Sequence, residues 1–166
     1  MTVGGFLGAF TYTIRGGVFC NAQTANFVLF AMALGDAQWS RALYFLIPMS
    51  AYFLGALLSE AAMSSPRWTM PVRWETVLVL VEMVLVVILG LLPESAPYQI
   101  SQVVINFMCS MQYNTFRIAQ GVPMATTFCT NQLRQVGIGF AKALRKHDRE
   151  GLSRALFFLG MLGCFF

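Results

Sequence analysis

Apolar runs broken by short polar stretches extend along the whole chain, and they predict six or seven helical segments. The first covers residues 1–14, the second about 24–34 and the third about 41–63. The third carries Pro48 inside it, with Ala51, Gly55 and Ser59 four residues apart on one face. That spacing of small residues lets two helix backbones approach closely. The fourth, about 74–92, is rich in Val and Leu and has Trp74 at one end. It is long enough to cross a hydrocarbon core of about 30 Å at about 1.5 Å per residue, which the first is not. The fifth, about 98–119, is unusually polar for a span, with Gln102, Asn106, Gln112 and Asn114. The sixth, about 125–144, carries Arg134, and the seventh starts near Ser153. Two interruptions contain glycine: Arg15 to Gln23, and Gln120 to Pro123.

The chain also repeats itself. Ser40-Arg41-Ala42-Leu43-Tyr44-Phe45-Leu46 returns as Ser153-Arg154-Ala155-Leu156-Phe157-Phe158-Leu159, with six of seven residues identical. Thr13-Ile14-Arg15 returns as Thr115-Phe116-Arg117, and Thr24-Ala25-Asn26 more loosely as Thr130-Asn131-Gln132. The matches are collinear, separated by 102, 106 and 113 positions in chain order, as a duplicated unit would leave them. The expected division is a first copy over residues 1–95 and a second over 96–166. Phe166 aligns with Phe53, where the first copy continues into a further helix. The expectation is therefore a fragment, a trimmed form or a shortened relative of a plan with four segments in each copy. Four crossings per copy would keep both copies in one orientation; a non-crossing segment in each would invert them.

Composition turns this pattern into a membrane reading. Hydrophobic residues make up 57% of the chain and charged residues 11%, with a mean hydropathy of +0.65. Soluble domains carry about 25% charged residues. The expected fold is an all-α membrane protein, a polytopic helical bundle of multi-pass form in the cell's inner membrane, with the lipid bilayer as its surroundings. The net charge of +4 does not point to nucleic acid, because Lys142, Arg145, Lys146, Arg149 and Arg154 cluster beside a hydrophobic segment. That cluster suits a cytoplasmic loop, and the lone His147 lies within it. Cys20, Cys109, Cys129 and Cys164 form neither a CxxC nor a Cys/His pair. No metal, cofactor or redox chemistry is indicated, and no cleavable signal peptide is expected.

Gly16-Gly17-Val18-Phe19-Cys20-Asn21-Ala22-Gln23-Thr24-Ala25-Asn26 resembles the GGVFxNAQTGN signature of the YoaK-type bacterial membrane proteins. Met111-Gln112-Tyr113-Asn114-Thr115-Phe116-Arg117, with Ala125-Thr126-Thr127-Phe128-Cys129-Thr130-Asn131-Gln132-Leu133-Arg134, resembles that family's second signature. The match extends over nearly the whole chain. Two departures stand out: the family's TGN glycine is Ala25 in the first copy, and TGN reads Thr130-Asn131-Gln132 in the second. The resemblance implies a bacterial inner-membrane protein and is compatible with a transporter. It supplies neither a substrate nor catalytic residues.

The two signature stretches are the candidate site. Each sits at a break and opens the next helix, where free N–H groups and the positive dipole end suit an anion or a polar ligand. Asn21, Gln23, Thr24 and Asn26 from one copy, with Thr126, Thr127, Thr130 and Asn131 from the other, form the proposed lining, and Gln112 and Asn114 lie close to it. The plainer reading is that Thr24 and Thr130 cap helices. Arg15 and Arg117 occupy equivalent positions, either as anion clamps or as charges snorkelling to one membrane face. Glu82, mid-way along the fourth segment, has Arg134 as its candidate partner, either for ion coupling or as a structural pair. No nucleophile–base set is visible, so no enzymatic activity is expected. The function expected is small-solute transport, of a polar or anionic solute, by a transporter or half-transporter. The alternative is a scaffold or partner subunit associating through Gly4/Gly8 and Ala51/Gly55/Ser59, as a homo-oligomer or with another chain.

Overall fold

The computed structural model describes residues 1–64, 72–93, 95–119, 122–123, 125, 129–146 and 148–165. Thr126, Thr127 and His147 lie outside these residues. The elements in chain order are α1 (Thr2–Thr13), α2 (Gln23–Gly35), α3 (Trp39–Ser64), α4 (Trp74–Gly90), α5 (Tyr98–Thr115), β1 (Ile118–Ala119), β2 (Val122–Pro123), α6 (Cys129–Lys146) and α7 (Arg149–Gly163). The described chain is thus helical apart from one short antiparallel hairpin, with Ile118 opposite Pro123 and Ala119 opposite Val122. The fifth segment ends at Thr115 rather than running to residue 119, because the chain turns into that hairpin. Pro123 could not have continued a helix, having no N–H to give it.

Of the described helices, only α3, with 26 residues, is both long and apolar enough to cross a membrane. At about 1.5 Å per residue the 13 residues of α2 reach only about 20 Å. α6 differs from the apolar span expected of the sixth segment. It carries Arg134, Lys142, Arg145 and Lys146 and is the most strongly two-faced of the helices.

The chain divides into two compact units: residues 7–116, and residues 1–6 with 117–166. In the first unit α3 packs along α5 and α2 packs on α3. The small residues expected to permit close approach do so within the chain: Ala51, Gly55 and Ser59 are buried, and a Cβ on Gly55 would lie 2.5 Å from the Phe107 carbonyl oxygen. Pro48 is tolerated inside α3 and is buried there. Asn114 of α5 donates to Ser59 Oγ at 2.8 Å and to Glu60 Oε2 at 3.2 Å, and Trp74 Nε1 of α4 donates to Thr115 Oγ1 at 3.0 Å. α2 stops where Ala37 enters the left-handed region at φ 54°, and the Gln38 N–H closes on the Ala33 carbonyl at 2.8 Å.

In the second unit α6 and α7 pack closely because both present glycine at their crossing. A Cβ on Gly139 would lie 2.6 Å from the Gly151 carbonyl oxygen and 2.8 Å from the Ala155 Cβ. Asp148 caps α7 by accepting the Glu150 N–H at 3.0 Å. Arg154 pairs with Glu150 at 2.8 Å, one turn apart and exposed, which is worth only a few tenths of a kcal/mol, about 0.3–0.5.

Buried polar side chains and exposed apolar faces occur together in this fold. Buried side chains include Thr11, Arg15, Asn21, Asn26, Gln102, Asn106 and Gln132, whereas α4 exposes Leu80, Val81, Met83, Val84, Val87 and Ile88. Buried polar groups and contiguous exposed apolar faces are the informative departures from ordinary burial.

Candidate functional site

Between α1 and α2 the backbone leaves helical geometry after Thr13 and regains it at Gln23. It turns through Gly16 at φ +83° and Gly17 at φ +74°, where a side chain costs about 1–2 kcal/mol. Gly16 is further confined: a Cβ there would run into the Tyr44 hydroxyl and lie 2.9 Å from Gln102 Nε2.

Broken backbone inside a protein must find partners for its N–H and C=O groups. Side chains from three helices supply them. From α2, Asn26 accepts the Phe19 N–H at 3.1 Å and donates Nδ2 to the Phe19 carbonyl at 2.6 Å. Gln23 donates to the Cys20 carbonyl at 3.3 Å. From α3, the Tyr44 hydroxyl donates to the Gly16 carbonyl at 3.1 Å. From α5, Gln102 Nε2 donates to the Arg15 carbonyl at 2.6 Å and to the Tyr44 hydroxyl oxygen. These side chains are then joined to each other. Asn26 Nδ2 donates to Gln23 Oε1 at 3.2 Å, Gln23 Nε2 to Asn106 Oδ1 at 2.7 Å, and Asn106 Nδ2 to the Gln102 carbonyl at 2.8 Å. Asn26, Gln102 and Asn106 are fully buried, and Gln23 is half-buried.

Arg15 lies inside this unit with 5% exposure. It therefore does not snorkel. Its one hydrogen bond among the described residues is a long one, Nη2 to the Leu92 carbonyl at 3.5 Å, and its guanidinium carbon sits 5.5 Å from the centroid of the Phe10 ring. Its Nε is buried without an acceptor, as is Oε1 of Gln102 without a donor.

The second unit contains a matching strap. Gln132, fully buried on α6, donates Nε2 to the Ala125 carbonyl seven residues before it. Asn26 reaches the Phe19 carbonyl over the same interval. Gln132 also approaches the Met1 sulfur at 3.9 Å. A polar cleft of about 150 Å³ lies in this unit beside Gln135, Lys142, Asp148, Glu150 and Arg154. The α7 cap and the Glu150–Arg154 pair occupy much of its lining.

The residues singled out in the sequence have distinct fates. Asn21 is buried against Gly8, where an added Cβ would lie 2.9 Å from its amide nitrogen. Gln23 and Asn26 join the network above. Thr24 is exposed at the second position of α2 and does not cap it: Ala22 holds the N-cap position, with no side-chain bond. Asn114 ties α5 to α3 rather than facing the break. Gln112 is half-buried, and its carbonyl accepts the Phe116 N–H at 2.9 Å. In the second unit Arg117, Thr130 and Arg134 are exposed and Asn131 is half-buried. Glu82 belongs to the first unit and Arg134 to the second. Glu82 is half-buried, and its Oε1 has no hydrogen-bond partner among the described residues.

Four members of the constellation were not among the expected site residues. Gln102 and Asn106 were visible only as polar positions of the fifth segment. Gln132 takes the position that the repeat aligns with Asn26, so the alignment itself was its signal. Tyr44 is the one position at which the seven-residue repeat changes, to Phe157, and its hydroxyl is the group that reaches Gly16.

The sequence profile of a family described as "Protein of unknown function (DUF1275)" matches residues 1–166. No curated protein and no solved structure matches the chain.

Proposed function

Because the chain belongs to the DUF1275 family, which includes the YoaK-type membrane proteins, we propose that it is a multi-pass inner-membrane protein that moves a small polar or anionic solute through the break between α1 and α2. The observation that carries this reading is a broken backbone held by buried amides, in a unit whose helices α3 and α4 expose apolar faces. Irregular backbone at membrane depth is tolerated only where protein buries it or a cavity adjoins it, and discontinuous helices of this kind build transporter sites.

An internal duplication supports the same plan. α1 ends on Thr13 and α5 on Thr115, the residues the repeat equates. α2 begins at Gln23, one residue before Thr24. The Asn26 and Gln132 straps then fall at the same place in each copy. α2 is too short to cross, and its counterpart α6 carries four basic residues, Arg134, Lys142, Arg145 and Lys146.

The scaffold alternative loses its main support. Ala51, Gly55 and Ser59 are used against α5 of the same chain. The test is reconstitution into proteoliposomes and uptake of labelled amino acids, carboxylates, phosphate and sugars. Uptake of one solute class that Gln23→Ala abolishes, with folding retained, is the expected result. A folded, reconstituted protein that moves none of them sinks the transport reading.

A further inference from the structure

We propose that the break between α1 and α2 binds a small oxyanion, a carboxylate, phosphate or sulfate group, through the guanidinium of Arg15. The proposal gives the transport reading its substrate class and rests on that reading for its biological sense, though its geometry stands alone.

A guanidinium cannot shed its proton to escape burial. Bringing one out of water costs several kcal/mol, of the order of 3–5 when its partner is missing. Buried arginines are therefore paired, and Arg15 is not: among the described residues no carboxylate lies within ion-pair distance of it, and it makes one hydrogen bond, at 3.5 Å. The ends of α1 and α4 and the face of Phe10 offset part of its charge. None of these takes up the Nε–H, which stays buried without an acceptor. Nε and one terminal nitrogen form the fork that grips a carboxylate or phosphate with two parallel bonds. An anion there would complete both the charge and the hydrogen bonding.

The backbone beside Arg15 shows the same deficit. Val18 is 0% exposed, and its N–H donates to no acceptor among the described residues. Buried N–H groups without partners are rare in folded proteins. An unused N–H donor beside a glycine turn, next to a cation without a carboxylate among the described residues, is an element of anion sites in other folds. Four carbonyls of the same turn are taken: Arg15 by Gln102, Gly16 by Tyr44, Phe19 by Asn26 and Cys20 by Gln23. None of these bonds uses the Arg15 Nε–H or the Val18 N–H, which are left for something negative.

The experiment follows thermal unfolding of the detergent-purified full chain in sodium phosphate, sulfate and acetate, against chloride at matched ionic strength. At least one oxyanion should raise the midpoint, by roughly 5–10 °C near a hundred times its Kd. Arg15→Gln should remove the rise, and Arg15→Lys should keep a weaker one. Should Arg15→Gln fail to fold, modification of the wild-type chain by phenylglyoxal, read at Arg15 by peptide mass spectrometry, replaces it: the stabilising oxyanion should slow the reaction at least several-fold. The proposal is overturned if no oxyanion exceeds chloride, if the rise survives in Arg15→Gln, or if Arg15 reacts equally fast with the oxyanion present. An oxyanion that binds at Arg15 but is not taken up by proteoliposomes leaves the site standing and removes the transport reading alone.

Discussion

Gln23 Nε2 donates to Asn106 Oδ1 at 2.7 Å, joining the first residue of α2 to the middle of α5. Eighty-three positions separate the two residues along the chain. This bond passes the position of the break on to the helix that packs along α3. Interhelical bonds of this type in membrane proteins contribute about 0.6 kcal/mol on average and up to about 1.7 kcal/mol. A double-mutant cycle of Gln23→Ala and Asn106→Ala, read by reversible unfolding in mixed micelles, should give a coupling within that range. Strict additivity would show that the bond carries no energy of its own.

The matched straps predict matched losses. Asn26→Ala and Gln132→Ala each remove the amide that satisfies a break carbonyl, so each should destabilise by about 1–3 kcal/mol. Thr24→Ala and Thr130→Ala remove exposed hydroxyls and should stay within about 0.5 kcal/mol of wild type. Unfolding midpoints of the four variants decide the matter. A Thr24→Ala loss as large as that of Asn26→Ala would restore a capping role to the threonine.

Three glycines sort by what surrounds them. Gly55→Ala sets a methyl group 2.5 Å from the Phe107 carbonyl oxygen, and Gly139→Ala sets one 2.6 Å from that of Gly151. Backbone cannot move aside as a side chain can, so helices must separate, at about 1–3 kcal/mol for each variant. Gly137, also on α6, has nothing within 4 Å of an added Cβ. Gly137→Ala should raise stability by up to about 1 kcal/mol through helix propensity alone. Thermal midpoints that failed to separate Gly137→Ala from the other two would contradict the close crossings.

The proposed repeat makes a topological prediction. The turn between α2 and α3 and the turn between α6 and α7 each precede one copy of the seven-residue stretch, so parallel copies would put them on one face of a membrane and inverted copies on opposite faces. In a chain stripped of its four native cysteines, Gln38→Cys and Arg149→Cys place thiols at these exposed turns. An impermeant maleimide added to intact cells should label both positions or neither if the copies are parallel, and one of the two alone if they are inverted.

The helices were legible because long apolar runs interrupted by glycine and polar residues leave few alternatives. The second and third segments, for example, begin and end within two residues of α2 and α3. The close approach at Gly55 was equally plain, since the spacing of small residues on a helix is a local property. What escaped was tertiary. Arg15 looks the same in sequence whether it reaches a membrane surface or lies buried against Phe10 and Leu92, and only the packing of α1 and the α4–α5 turn around it decides. Thr24 looked like a cap because threonine favours that role, but the chain enters α2 two residues earlier, at Ala22. The polarity of α6 was visible in its four basic residues but was outweighed by the apolar residues among them.

Tyr44 stacks edge-on to Phe45 at 5.6 Å, and Phe157 does the same to Phe158 at 5.4 Å. The two ring pairs are near-copies, so the frame tolerates either residue at this position. What separates them is a single oxygen atom, and in one copy that atom ties α3 to the glycine turn and meets the amide of α5. Within these seven residues the difference is one hydroxyl group: Tyr44→Phe would make the first stretch spell the same seven letters as the second, and would measure how much that oxygen contributes to holding the turn.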